Sequence, residues 1–118
     1  MKINVSKILE EVIDKDASDL HLTVGSSMYI RINTELQPLQ GYDLLTVDDL
    51  ESFLAQVMDD QQREILEVNK ELDFSVSLGK KARFRVNAFY QKGYPSLALR
   101  AIPLVVPRLE DLNLPDAI

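Results

Sequence analysis

The chain has 118 residues, 46% of them hydrophobic, enough for one domain with a buried core. Its net charge of −6 argues against a general nucleic-acid-binding surface, because affinity for a phosphate backbone needs accumulated Lys and Arg. With no cysteine and one histidine it offers no disulfide framework and no thiolate metal site, so no metal centre is expected.

Met1-Lys2-Ile3-Asn4 lacks a signal-peptide core, and no apolar run approaches the length of a membrane span. A cytoplasmic domain without direct membrane insertion is expected. Val5, Ile8, Leu9, Val12 and Ile13 recur at helical spacing and predict an amphipathic helix over residues 3–15. Asp19 to Val24 alternates as a strand, and Met28–Asn33 with Glu35–Leu39 reads as a hairpin around Asn33-Thr34. Thr46 is a natural N-cap with Asp48 and Asp49 in the first turn, ahead of a helix face of Leu50, Phe53, Leu54, Val57 and Met58. A shorter helix starts at Asp60 and carries Ile65 and Leu66; Asp59, Asp60, Gln61 and Gln62 read as its solvated start. Leu72, Phe74, Val76 and Leu78 mark the next strand. The order helix, strands, helices, strands predicts an α+β fold, a mainly antiparallel sheet with helices packed on one face.

The last two strands hold the most informative pattern. Ala82 to Tyr90 alternates, with Phe84, Val86 and Ala88 on one face and Arg83, Arg85 and Asn87 on the other. Ser96 to Ile102 alternates again, with Leu97, Leu99 and Ala101 as the buried set and Arg100 opposite them. With Lys92-Gly93 as the turn, Val86 pairs with Leu99 and Arg85 lands across from Arg100. Like charges directly opposed destabilise a sheet. Two readings follow: the pair is offered to an anion, where guanidinium groups suit phosphate, or these are solvated surface arginines paired with Asp73 or Glu71.

After Ile102 the composition changes. Pro103, Pro107 and Pro115 break any long element, yet Leu104, Val105, Val106, Leu109, Leu112, Leu114 and Ile118 are too apolar for a freely solvated tail. Pro115 suits the first turn of a helix. A domain over residues 1–102 and a linker over 103–118, leading toward a further domain, are expected.

Familiar catalytic signatures do not occur in the sequence. Gly25, Gly41, Gly79 and Gly93 are scattered, and none belongs to a G-x-x-x-x-G-K-[ST] loop. His21, beside Ser18 and Asp19, has two readings: a general base, or a structural histidine donating to a nearby carbonyl or carboxylate. Met28 and Met58 fall at core positions. No catalytic residue is expected within the chain.

Taken together, Ala17-Ser18-Asp19-Leu20-His21-Leu22, Glu71-Leu72-Asp73-Phe74-Ser75, Arg83-Phe84-Arg85-Val86-Asn87-Ala88-Phe89 and Leu99-Arg100-Ala101-Ile102-Pro103 resemble the PilT family of type IV pilus retraction ATPases, the motors of twitching motility. Leu109-Glu110-Asp111-Leu112-Asn113-Leu114-Pro115 resembles the segment that leads into the family's RecA-like motor domain. Pilus-extension and type II secretion ATPases share weaker versions of these segments. The chain departs from the family where Gly25-Ser26-Ser27-Met28 replaces a Gly-x-Pro-Pro turn and Asn33-Thr34 replaces Asp-Gly or Asn-Gly.

The resemblance implies an N-terminal, PAS-like regulatory and assembly domain of a homohexameric motor. The nucleotide would lie at the seam with the RecA-like domain of the same or a neighbouring subunit. It implies phosphate contacts from Arg85 and Arg100, with Arg83 a weaker candidate, and places Asp19, His21 and Asn87 in structural motifs. ATP and Mg2+ would serve the full-length parent, neither held tightly by this chain alone. A pilus platform protein of the inner membrane would be a further partner, at whose cytoplasmic side the assembled motor sits. The alternative is a free-standing PAS-like sensor or adaptor with an apolar ligand cavity between sheet and helices. A hydrolase built on His21 lacks a second catalytic group.

Overall fold

The computed structural model describes residues 3–80 and 82–103. The expected linker from residue 104 onward, with its apolar residues and Pro107 and Pro115, lies outside the described residues, as do Met1 and Lys2.

Among the described residues three helices and six strands follow in the order α1 (Val5–Asp14), β1 (Asp19–Thr23), β2 (Tyr29–Ile32), β3 (Glu35–Pro38), α2 (Val47–Val57), α3 (Asp60–Asn69), β4 (Glu71–Leu78), β5 (Ala82–Gln91) and β6 (Tyr94–Pro103). The expected α+β class is what forms. Every strand pairing is antiparallel, in one sheet of order β3-β2-β1-β6-β5-β4. The first and last strands of the described residues, β1 and β6, thus lie side by side at the centre of the sheet.

Helix starts follow from local chemistry. Asn4 caps α1 by accepting from the Lys7 amide (3.1 Å), so the helix begins later than residue 3. Thr46 and Asp59 each form a capping box, with Asp49 and Gln62 respectively returning a bond to the cap's own amide. Of the residues read as a solvated helix start, Asp59 and Gln62 are therefore bonded to the backbone, while Asp60 and Gln61 are exposed. Lys70 ends α3 in the left-handed conformation (φ 63°). Gln56 ties α2 to the start of α1, donating to the Ile3 carbonyl (2.8 Å) and accepting from the Val5 amide (3.2 Å). Arg63 of α3 reaches Glu51 of α2 at 2.6 Å.

Strand alternation sorts the sheet into two faces. One face sets Leu20, Leu99, Val86 and Phe74 side by side across β1, β6, β5 and β4. It is closed by Ile8, Leu9 and Val12 of α1, by Leu50, Phe53 and Leu54 of α2, and by Leu66 of α3, all 0–1% exposed. Met28 and Met58 are in this core, as expected. The opposite face carries Arg83, Arg85 and Arg100, all exposed. One-sided covering of an antiparallel sheet explains the clean alternation in β4 and β5.

Candidate functional site

The site is built on the open face, from the centre of the sheet outward. Between Gln91 and Tyr94, Lys92 (φ 55°) and Gly93 (φ 85°) make a two-residue turn with both central residues at positive φ. That is the turn whose twist matches a hairpin, and it fixes the β5–β6 register. Val86 then pairs with Leu99 and Arg85 with Arg100, as the spacing predicts.

Sheet order supplies the rest of the row. Asp19 of β1 is the register partner of Arg100 on one side and of Arg31 on the other. Read across the sheet, Arg31, Asp19, Arg100, Arg85 and Ser75 occupy successive strands. Asp19 Oδ2 is 3.4 Å from Arg31 Nε and accepts from Ser18 Oγ at 3.0 Å, while its Oδ1 is 3.6 Å from Arg100 Nε. Arg31 also donates through Nη1 to the Thr34 carbonyl at 3.2 Å.

The neighbouring row runs Tyr29, His21, Ala98, Asn87, Asp73. Ala98 has only a methyl group there, and the step down between His21 and Asn87 leaves a concavity of about 300 Å³ bordered by Arg85 and Arg100. Asp19 and Asp73 complete its rim. Asn87 Nδ2 donates to Asp73 Oδ1 at 2.7 Å and to Glu71 Oε2 at 3.2 Å.

This overturns one expectation. The carboxylates offered by β4 do not pair with the arginines; Asn87 takes both. The register explains it, because Asp73 lies opposite Asn87 while Arg85 lies opposite Ser75. Among the described residues Arg85 has no ion-pair partner, and Arg100, with 74% of its side chain exposed, has one. Arg83 shares the face but pairs with Ile102 and Ser77 and does not border the concavity. His21 does border it, and among the described residues its ring has no hydrogen-bond partner. Asp19, His21 and Asn87, quoted for sequence resemblance, thus surround the same concavity as the two arginines.

Arg31 escaped the sequence reading. Alternation in Tyr29-Ile30-Arg31-Ile32 puts it on the polar face, but its neighbour Asp19 is set by β1–β2 pairing. The guanidinium of Arg100, whose terminal nitrogens are unengaged among the described residues, lies beside the unpaired Arg85, and such a planar fork can take an oxyanion in bidentate fashion. Among the described residues no group of three or more His, Asp or Glu side chains is placed to hold a metal ion. No helix of the described residues is long and apolar enough to cross a membrane.

Comparison with known proteins gives the lineage. No family model matches the chain. It is 36% identical over 110 residues to the type IV pilus ATPase PilU of Pseudomonas aeruginosa, a span of 93% of this chain and 28% of that protein. It is 41% identical over 87 residues to a twitching motility protein of Neisseria gonorrhoeae, covering 74% of this chain and 23% of that one. Among solved structures, the pilus retraction motor PilT with bound ADP superposes with a TM-score of 0.83 at 35% identity, over 98% of this chain and 34% of that one. The chain therefore spans about a third or less of the relatives it matches. In sequence and in fold it belongs to the PilT family of pilus-motor ATPases, corresponding to their N-terminal domain.

Proposed function

We propose that this chain is the regulatory and assembly domain of a pilus-retraction motor ATPase, and that it presents Arg85 and Arg100 to the phosphates of a nucleotide bound at the seam with a RecA-like domain. The observation that carries the reading is the placement of these two arginines. They are register partners at the edge of an open concavity, with two like charges left side by side at a cost to the sheet. A phosphate group would relieve that cost. The concavity lies on the polar face and not between sheet and helices, which favours this reading over an apolar-ligand sensor.

In the parent protein ATP with Mg2+ would be the nucleotide, and the chemistry of hydrolysis would be supplied outside this chain. Arg85 and Arg100 would hold negative charge as it develops on the transferred phosphoryl group, and would lose it when the domains separate. Nucleotide state would thereby set the domain angle. A closed ring of identical subunits, a hexamer, would let the domain also touch the next subunit, since ring contacts are heterologous. Arg83 would play at most a peripheral part. Docked on a pilus platform protein at the cytoplasmic side of the inner membrane, such a ring would retract pili and drive twitching motility.

The test is ATP turnover by the full-length protein carrying Arg85→Ala or Arg100→Ala. A fall of about 10²-fold at unchanged assembly is expected, the size typical of losing one preorganised charge-stabilising contact. Turnover at the unaltered rate in an intact ring would remove that arginine from the mechanism.

A further inference from the structure

We infer that Asp19 is a positioning residue for Arg100, a carboxylate that aims the guanidinium at the oxyanion instead of competing with it. The inference rests on the phosphate-contacting reading of Arg100 above and goes beyond it in assigning Asp19 a role.

Asp19 is itself firmly held. Its side chain is 17% exposed, and Oδ2 accepts a hydrogen bond from Ser18 Oγ (3.0 Å) and is ion-paired with Arg31 Nε at 3.4 Å. Arg31 is fixed at a second point by its bond to the Thr34 carbonyl, at 3.2 Å. The negative charge of Asp19 is thus compensated from the β2 side before Arg100 is considered. What remains for Arg100 is the other oxygen, Oδ1, 3.6 Å from Nε.

Contact through Nε matters. At 3.6 Å it is an ion pair and not a hydrogen bond; it draws the guanidinium by its stem side and leaves both terminal nitrogens, on a side chain 74% exposed, without a partner among the described residues. Those two nitrogens are the fork that takes an oxyanion. A long arginine ordered before binding loses less rotamer freedom on binding. Ser18 and Arg31 orient the carboxylate, and the carboxylate orients Arg100.

A carboxylate beside an anion site could equally act as a quencher, and the two roles differ in sign. Removing a quencher, or any nearby negative charge, tightens anion binding. Removing a positioner weakens it.

The experiment titrates inorganic pyrophosphate into the isotope-labelled 118-residue chain and follows the arginine Nε–Hε resonances by NMR. Arg85 and Arg100 resonances are expected to move together. Asp19→Asn is expected to weaken binding about three- to tenfold, although it removes a negative charge, and to shift the Arg100 Nε–Hε signal toward that of a free side chain. Ser18→Ala leaves charge unchanged and loosens Asp19; it is expected to weaken binding in the same direction by less, and it stands in should Asp19→Asn perturb folding. In an Arg100→Lys background, which has no Nε, Asp19→Asn should no longer weaken binding. Equal or tighter binding by Asp19→Asn and Ser18→Ala overturns the positioning role while leaving the phosphate reading in place. No response of Arg100 in the unaltered chain also overturns the inference, and the role of Arg100 is then decided by the turnover experiment alone.

Discussion

Arg85 and Arg100 are register partners on adjacent strands, and among the described residues only Arg100 of the two has a carboxylate within ion-pair distance. The difference comes from position: β6 is flanked by β1, which brings Asp19, whereas β5 is flanked by β4, which brings Ser75 opposite Arg85. Arg85 therefore contributes repulsion without a compensating attraction.

This asymmetry predicts the effect of each arginine on stability. Arg85→Thr should stabilise the fold by about 0.2–1 kcal/mol, through relief of like-charge opposition and a better strand residue. Arg100→Thr should change stability by less, because it relieves the same repulsion but also deletes an exposed ion pair of small worth. Both effects should shrink in high salt. Urea denaturation of the two variants at low and high ionic strength tests this. A loss of stability on Arg85→Thr would show that the arginine pair is not strained.

The β2–β3 turn stores strain of another kind. Asn33 (φ 51°) and Thr34 (φ 69°) are the two central residues between the partners Ile32 and Glu35. Asparagine tolerates this conformation, whereas a β-branched residue such as Thr34 adopts it at a steric cost. The family sequences resembled here favour glycine at the second position, and the chain adopts the same turn without it. Thr34→Gly should raise stability by about 0.5–1 kcal/mol, the left-handed penalty less the added flexibility of glycine. The Arg31 bond to the carbonyl of residue 34 is made to backbone and survives the change. A lower denaturation midpoint in Thr34→Gly would show that the threonine side chain contributes more than the strain costs.

What could be read from sequence divides along range of interaction. Thr46, Asp59 and Lys92-Gly93 act within four residues of themselves, so helix starts and the β5–β6 register follow from local chemistry. The pairing of Arg85 with Arg100 is legible for the same reason. Asp19 with Arg100 is not, because those residues meet only when β1 inserts between β2 and β6. Nothing in the alternation of either strand encodes that choice of neighbour. Asn87 illustrates a subtler loss: its face is evident, but its hold on Asp73 and Glu71 depends on a β4–β5 register set by a longer turn. The concavity itself needed Ala98 between two larger side chains from two other strands, a coincidence of two registers.

Tyr42 gives the fold a defined response to alkaline pH. Its hydroxyl donates to Glu11 Oε2 at 2.7 Å, joining the loop before α2 to α1. Burial, then the hydrogen bond and charge of Glu11, push its pKa from 10.0 up to about 12. The sign follows from proton counting. Below pH 10 both states keep the proton and the interaction is fully expressed; between about 10 and 12 the unfolded chain gives up its proton first, so stability falls as pH rises. Tyr42→Phe should cost about 1 kcal/mol at neutral pH, the usual worth of such a bond. The gap between Tyr42→Phe and the unaltered chain should then close as pH climbs through that window. Other alkaline titrations are common to both proteins and cancel in the difference. Urea denaturation of the pair at neutral pH and at steps from pH 10 upward measures it, with ultraviolet titration of tyrosinate locating the late ionisation. A gap that stays constant across the window would mean that Tyr42 ionises equally in both states and that Glu11 does not hold its proton.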